Sequence, residues 1–576
     1  MKNSVGKKCL FFSIIAMFIG ASVVSCIRVD SIELYSKNSV LEDGEHGLMV
    51  DGGALDSRFI YNITAALSNI VLSEYDEEIG EIAKGRAFGT KGEHKAAEII
   101  YENMTNLGLY TKIEQIENIP ELPDIASKME IMYYEMVVKN RTSNISKIVD
   151  CYIAPTCLVP RNSPGQLNYN ISFRNLKVMH KPKITVPWDK YEKVDEDYLF
   201  IVEENEYNPN LQPSPMKKFL NTFLSPYSDP VLFLDGSRQI IETKMWYNHF
   251  PHCQGVIHYD FNSDTHTMAY YADWHLPVLY INGTVGMEIL YDMKNITIDY
   301  YLNKCYNESV LSYNVIGQLN GTDKNKIAII DCLYDSWWCQ GTADSAIGMG
   351  MVLGIAKYFK DHNITPKYTL KFIAFGGEEY GFRGAKYYEA THPEEDIIYV
   401  IDLNQLGFTQ KEPKLYLEII ANKPKFLNEI WEIAKRTDYV NKTDAAGMRK
   451  FWMPMGAPSD DQPFARNRPS CKTVCFLKGL NWVLHHRDGI NHTEGDVLKY
   501  FNWTDVNATG EIILNVTKYI AIGSEGEFSD WQSYKTNSNN NVPGAYMLHP
   551  DGRADTIDRR MFLLTVNAFF NTKNCS

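Results

Sequence analysis

The sequence predicts an α/β protein: a mixed, largely parallel central sheet flanked by helices, with a β-rich domain inserted into it. Three observations carry this expectation. Between Lys326 and Ile401 apolar strands alternate with helical segments, the pattern of parallel strand–helix–strand units. Between about 147 and 310 short strands punctuated by Pro, Asn and Asp dominate instead. The length of 576 residues also exceeds what one hydrophobic core usually organises.

In chain order, Lys2, Lys7 and Lys8 precede an apolar run from Cys9 to Val24 that ends in the small residues Ala21, Ser22 and Ser25. A basic segment followed by an apolar one reads as an export signal over residues 1–26. Val23-Val24-Ser25-Cys26 also resembles a lipobox with Cys26 as lipid acceptor, and an uncleaved run from Cys9 to Ile27 is about long enough to span a bilayer. Each reading places the body of the chain outside the cytoplasm, secreted or anchored at the cell surface. Membrane contact is then expected only through this segment or its lipid. Asn-x-Ser/Thr triplets recur, for example at Asn62, Asn144, Asn282 and Asn441, and are acceptors only in a host that glycosylates them. The close pairs Cys151/Cys157, Cys332/Cys339 and Cys471/Cys475 read as disulfides in such a compartment, or otherwise as buried thiols. Nine cysteines follow Cys26, so at least one has no partner within the chain.

Residues 27–60 are polar with weak periodicity and read as a tether. The pattern turns helical from Ile63. Ala97, Ile100, Met104 and Leu107 mark one face of a helix that Gly108 ends, and a strand follows over Tyr110 to Glu114. The α/β domain is expected over 61–146 and 311–525, with the β-rich insert over 147–310. Insert strands include Tyr198–Val202, Val231–Leu234, Gly255–His258 and Pro277–Ile281. The second part of the α/β domain holds strands at Lys326–Ile330, Tyr368–Phe375 and Ile397–Ile401, with helices at Ala346–Phe359 and Arg383–Ala390. The tail, 526–576, carries no recognisable chemistry. A formal net charge of -14 and the lack of a basic cluster in the sequence argue against a nucleic-acid partner, which needs a basic face.

Function in such sheets gathers beyond the carboxyl ends of the strands. Polar clusters follow there: Asp335 to Asp344, Glu378-Glu379, Asp402, and His492 to Asp496. Singly, each has a plainer explanation: a solvated loop, a helix cap or a surface histidine. Together, carboxylates and an imidazole on one rim form a ligand set suited to zinc.

Gly341-Thr-Ala-Asp344-Ser-Ala-Ile-Gly348 and Phe372-Ile-Ala-Phe-Gly-Gly-Glu378-Glu379-Tyr-Gly-Phe-Arg-Gly resemble the signature of the co-catalytic zinc aminopeptidase and glutamate carboxypeptidase family. Arg86-Ala-Phe-Gly-Thr-Lys-Gly, Asn314-Val-Ile-Gly, Ile401-Asp402, Ser459-Asp-Asp-Gln-Pro-Phe464 and Asn491-His492-Thr-Glu-Gly-Asp496 extend the resemblance over about 80–520. It implies a zinc exopeptidase fold, with the insert in the place of a protease-associated domain, and a peptide substrate. By the same resemblance, Asp344 would bridge two metals, Glu379 and His492 would complete one zinc, Asp402 would ligate the second, and Glu378 would be the general base. One position departs from the pattern. The family opens its first metal segment with His-x-Asp, whereas Leu333 precedes Tyr334-Asp335 here. Only a local bulge bringing in Asp331 or Cys332 would replace that ligand. The resemblance therefore implies one zinc on Asp344, Glu379 and His492, and a second only with a substitute ligand. Single-zinc glutaminyl cyclases and inactive transferrin receptor-like members of the superfamily supply two alternative functions. Trp337, Trp338 and Trp452 are candidates for a substrate wall or for packing, and His485 and His486 read as loop histidines.

Overall fold

In the computed structural model the described residues are 54–70, 85–149, 151–153, 169–180, 194–203, 250–259, 276–337, 339–407, 416–443, 445, 447–479, 496–522, 545–548 and 554–557. The N-terminal export segment, the strand expected at Val231–Leu234, Trp338 and the loop bearing His485, His486 and His492 lie outside them.

The helix expected from Ile63 begins earlier, as α1 (Ser57–Ser68), because the Asp56 side chain caps it by accepting from Phe59 N at 2.9 Å. Helix α2 (Lys91–Asn106) starts at a capping box. Thr90 Oγ1 accepts from Glu93 N at 3.4 Å, while Glu93 Oε2 accepts from Gly89 N at 2.6 Å. Gly108, at φ +69, turns the chain into β1 (Tyr110–Gln115).

A second sheet follows, of β2 (Lys128–Asn140), β3 (Ile145–Val149), β4 (Tyr152–Ile153), β5 (Tyr169–His180), β6 (Tyr198–Glu203), β7 (Cys253–Tyr259), β8 (Val278–Ile281) and β9 (Ile296–Asn307), with α3 (Gly283–Tyr291) between the last two. Its strand order is β3-β2-β9-β5-β6-β7-β8-β4, with β5 to β8 parallel.

Strands β10 (Tyr313–Leu319), β11 (Asp323–Leu333), β12 (Tyr368–Phe375) and β13 (Asp396–Leu403) alternate with α4 (Ile347–Asp361) and α5 (Arg383–Thr391). Beyond them lie β14 (Tyr416–Ala421), α6 (Pro424–Arg436), α7 (Tyr439–Lys442), β15 (Gly447–Trp452), α8 (Asp461–Asn467), β16 (Lys472–Gly479), α9 (Trp503–Ile522), β17 (Ala545–Leu548) and β18 (Ala554–Ile557). The main sheet is ordered β1-β10-β12-β11-β13-β16-β14-β15-β17-β18, and its centre, β12-β11-β13-β16, is parallel. Central parallel strands are covered on both faces, so β11 reads as a nearly unbroken apolar run. Helix α4 is buried almost all round. It meets α1 closely because positions 350 and 354 are glycines: a Cβ on Gly350 would stand 2.7 Å from Thr64 Oγ1 and 2.9 Å from Ile60 O. Among the described residues no helix is long and apolar enough to cross a membrane.

Candidate active site

The carboxyl ends of β11, β12 and β13 open on one rim, and the loops there are held by buried side chains. Arg86 is fully buried, and its guanidinium donates only to backbone carbonyls: Tyr334 O at 2.8 Å, Leu67 O at 3.0 Å, Gln340 O at 2.6 Å and Gly341 O at 2.9 Å. Its own backbone is tied to Ser336 in both directions. Burial pulls its pKa down, opposed by Cys339, Asp496 and Asp335. Gly85, at φ +79, is required beside it, since a Cβ would come within 1.8 Å of Cys339 O.

Asp335 leaves β11 and points at the next loop. Its two oxygens accept from Glu378 N at 3.0 Å and Glu379 N at 3.3 Å, so one carboxylate fixes the Glu-Glu turn. Burial, then the neighbouring Glu379, pushes its pKa up to about 8 in the metal-free chain. Asp344 sits in the turn Thr342–Ala346, buried, at non-helical φ -116 and ψ 79, with a cis peptide to Ser345. Gln405 Nε2 donates to its Oδ2 at 3.3 Å. Ala343 N and Asp344 N donate to Asp496 Oδ1 and Oδ2 at 2.7 and 3.3 Å.

Glu378 is buried, and Asn404 Nδ2 donates to its Oε1 at 3.3 Å while also reaching Ser459 Oγ at 2.9 Å. Burial raises its pKa well above the usual carboxylate range, reinforced by Glu379, Asp460, Asp344 and Asp335. Glu379 beside it is half-buried. Asp402, buried on β13, has its pKa raised to about 6 by burial, with Ser459, Cys475 and Asp331 as near neighbours. Among the described residues neither carboxylate oxygen of Asp402, Asp460 or Asp331 has a hydrogen bond of ordinary geometry. Buried Asp331, Asp460 and Asp461 are likewise raised, first by burial and then by Asp402 among their neighbours.

Leu333 is fully buried in the main core. Strand β11 keeps unbroken register with β12 from Ala328 to Leu333, so no bulge there brings in a substitute ligand. Asp331 pairs in register with Asp402, and Cys332 Sγ points at Ser345 O, 3.5 Å away. The expected disulfides are corrected as well. Cys332, Cys339, Cys471 and Cys475 are buried free thiols, and Cys157 lies outside the described residues. Cys475 lies within β16 and Cys471 immediately before it, and four residues of extended chain separate Cα atoms by about 13 Å, too far for a bridge. Trp337 packs into the second sheet's core and against Tyr380, and Trp452 Nε1 donates to Asn422 O at 3.1 Å, so both pack.

The structure thus gathers Asp344, Glu378 and Glu379 into one electrostatic group with Asp335 and Asp460, and Asp402 joins it through Asp460. Among the described residues no three His, Cys, Asp or Glu side chains form a metal site by themselves, and His492 lies outside these residues. Zinc nevertheless fits the chemistry of the donors. Glu378, Asp402 and Asp460 take part in no ion pair among the described residues, and the buried pairs Arg449–Glu418 and Lys478–Asp505 lie elsewhere. Buried carboxylates at this density need protons or a cation. Sequence reasoning missed the roles of Arg86, Asn404 and Asp496. Arg86 and Asp496 did stand in matching motifs, but nothing local marks what they bind.

Parallel strands ending in loops stapled around buried carboxylates define an α/β scaffold with an acidic rim. Residues 314–517 match the model of Peptidase family M28. The chain is similar to the structure of BSAP, a zinc aminopeptidase from Bacillus subtilis, at 16% identity and TM-score 0.54, covering 83% of this chain and 98% of that one. It is also similar to a peptidase M28 precursor from Shewanella amazonensis, at 13% identity and TM-score 0.50, covering 81% and 98%. At such identities the likeness establishes a shared fold. No curated protein matches the chain.

Proposed function

We propose that the chain is an exported zinc-dependent exopeptidase, aminopeptidase-like, that hydrolyses terminal peptide bonds with Glu378 as general base. The placement of Glu378 carries this reading. It is buried, oriented by Asn404, and next to Glu379 and Asp344, whose backbones are clamped by Asp335 and Asp496. Asp344, Glu379 and His492 would hold one zinc, three ligands leaving an open position. When bound, zinc would supply Lewis acidity, polarising the scissile carbonyl and acidifying water. A nearby dication favours the ionised form of Glu378, which a base requires. Glu378 Oε2, the oxygen not held by Asn404, then takes the proton of the attacking water and returns it to the leaving amine. Asp402 would serve a second zinc, but with Leu333 in the core that position has lost a ligand, and we assign one zinc. The supports for export are Lys2, Lys7, Lys8 and the apolar run after them.

The test is hydrolysis of peptides with free and with blocked N-termini, with and without chelator. We expect cleavage of the free peptides only, abolished by the chelator and restored by zinc. Zinc-loaded protein that cleaves neither sinks the proposal. The burial of Leu333 favours one other reading, single-zinc cyclisation of N-terminal glutaminyl peptides. Including such a peptide in the assay separates the two.

A further inference from the structure

We propose that Asp496 is a positioning residue for Asp344, setting the zinc affinity of the centre without touching zinc or substrate. The inference rests on Asp344 being a zinc ligand, as argued above. Asp496 is fully buried. Its Oδ1 and Oδ2 accept from Ala343 N at 2.7 Å and Asp344 N at 3.3 Å, and its carbonyl accepts from Thr342 N at 3.4 Å. Three consecutive N–H groups of the ligand-bearing turn therefore converge on one residue more than 150 positions away in the chain.

That turn cannot supply these partners itself. Asp344 and Ser345 have non-helical dihedrals, so the N–H groups at 342–344 lack the repeating carbonyls of a regular helix. A carboxylate accepting from backbone N–H groups is about twice as strong as a neutral acceptor. On its other side the turn is held by Gln405, which fixes the Asp344 carboxylate, and by Leu406 N, which donates to Ala343 O at 3.1 Å. Asp344 is thus gripped through its backbone by Asp496 and through its side chain by Gln405. A ligand carboxylate must stay within about 0.5 Å of its productive position, so the backbone grip governs affinity. Asparagine at 496 would keep one acceptor and turn an NH2 donor toward the second N–H, loosening the turn with little change of volume.

The experiment measures zinc affinity of the full chain by chelator competition, together with amide exchange at residues 342–344 and activity across a zinc titration, for wild type and Asp496→Asn. We expect affinity to fall about 10- to 100-fold, exchange at 342–344 to accelerate, and excess zinc to restore activity, a rescue that a general folding defect would not show. Should Asp496→Asn fail to fold, Asp496→Glu keeps both acceptors but displaces the turn by a methylene, and its affinity is also expected to fall. Wild type that binds zinc alongside a folded variant binding within twofold of it overturns this inference alone. Wild type that binds no zinc overturns the proposed function, and this inference with it.

Discussion

Glu378 gives its backbone N–H to Asp335 and receives a side-chain hydrogen bond from Asn404, so both ends of the residue are fixed before substrate arrives. The proposed base is removed cleanly by Glu378→Gln, which keeps the size and the backbone bond. We expect kcat to fall about 10²- to 10⁴-fold, with zinc content unchanged when measured on the purified variant. A parallel loss of zinc would make Glu378 a ligand rather than a base. With leucine at 333 Asp335 has no histidine two residues back to orient, and its oxygens serve the Glu378-Glu379 turn. That leucine is among the most enclosed residues of the core.

At the scale of elements, α1 braces α4, the helix that follows the Asp344 turn. The contact depends on absent side chains: a Cβ at Gly350 would meet Thr64 and backbone of α1. Gly350→Val should therefore lower stability by about 1–3 kcal/mol in a denaturant titration, since overpacking outweighs the small gain in helix propensity. Unchanged stability would mean that α1 is not seated as described. How much was legible in the sequence follows from range. Strand β12 and helix α5 are read from apolar periodicity within ten residues, and Gly376-Gly377-Glu378-Glu379 sits between them as a contiguous signature. The onset of α1 was misplaced because Asp56 caps it ahead of the periodic residues. Arg86 reaches Gln340 and Gly341 across more than 250 positions, and Asn404 reaches Ser459 across 55. No window along the chain displays such pairings. The Cys471/Cys475 spacing suggested a loop because spacing alone cannot tell a turn from an extended strand.

Over the whole molecule, the buried acids couple stability, pH and metal. In the metal-free chain Asp335 titrates near about 8 and Asp402 near about 6, against an ordinary value of 3.8. Between about pH 4 and 8 the folded chain therefore holds protons that the unfolded chain has released, and folding weakens as pH rises through that window. The Tm of metal-free protein should fall between about pH 5 and 8, and the stabilisation by zinc should grow over the same range as binding displaces protons. A Tm that rises with pH in the chelated protein would contradict this. The central claim is a single zinc held by Asp344 and Glu379 with His492, and metal content of purified protein tests it most directly. The account predicts one zinc per chain in wild type, and none in Asp344→Asn or Glu379→Gln. Two zincs per wild-type chain, or one that survives both substitutions, would contradict it.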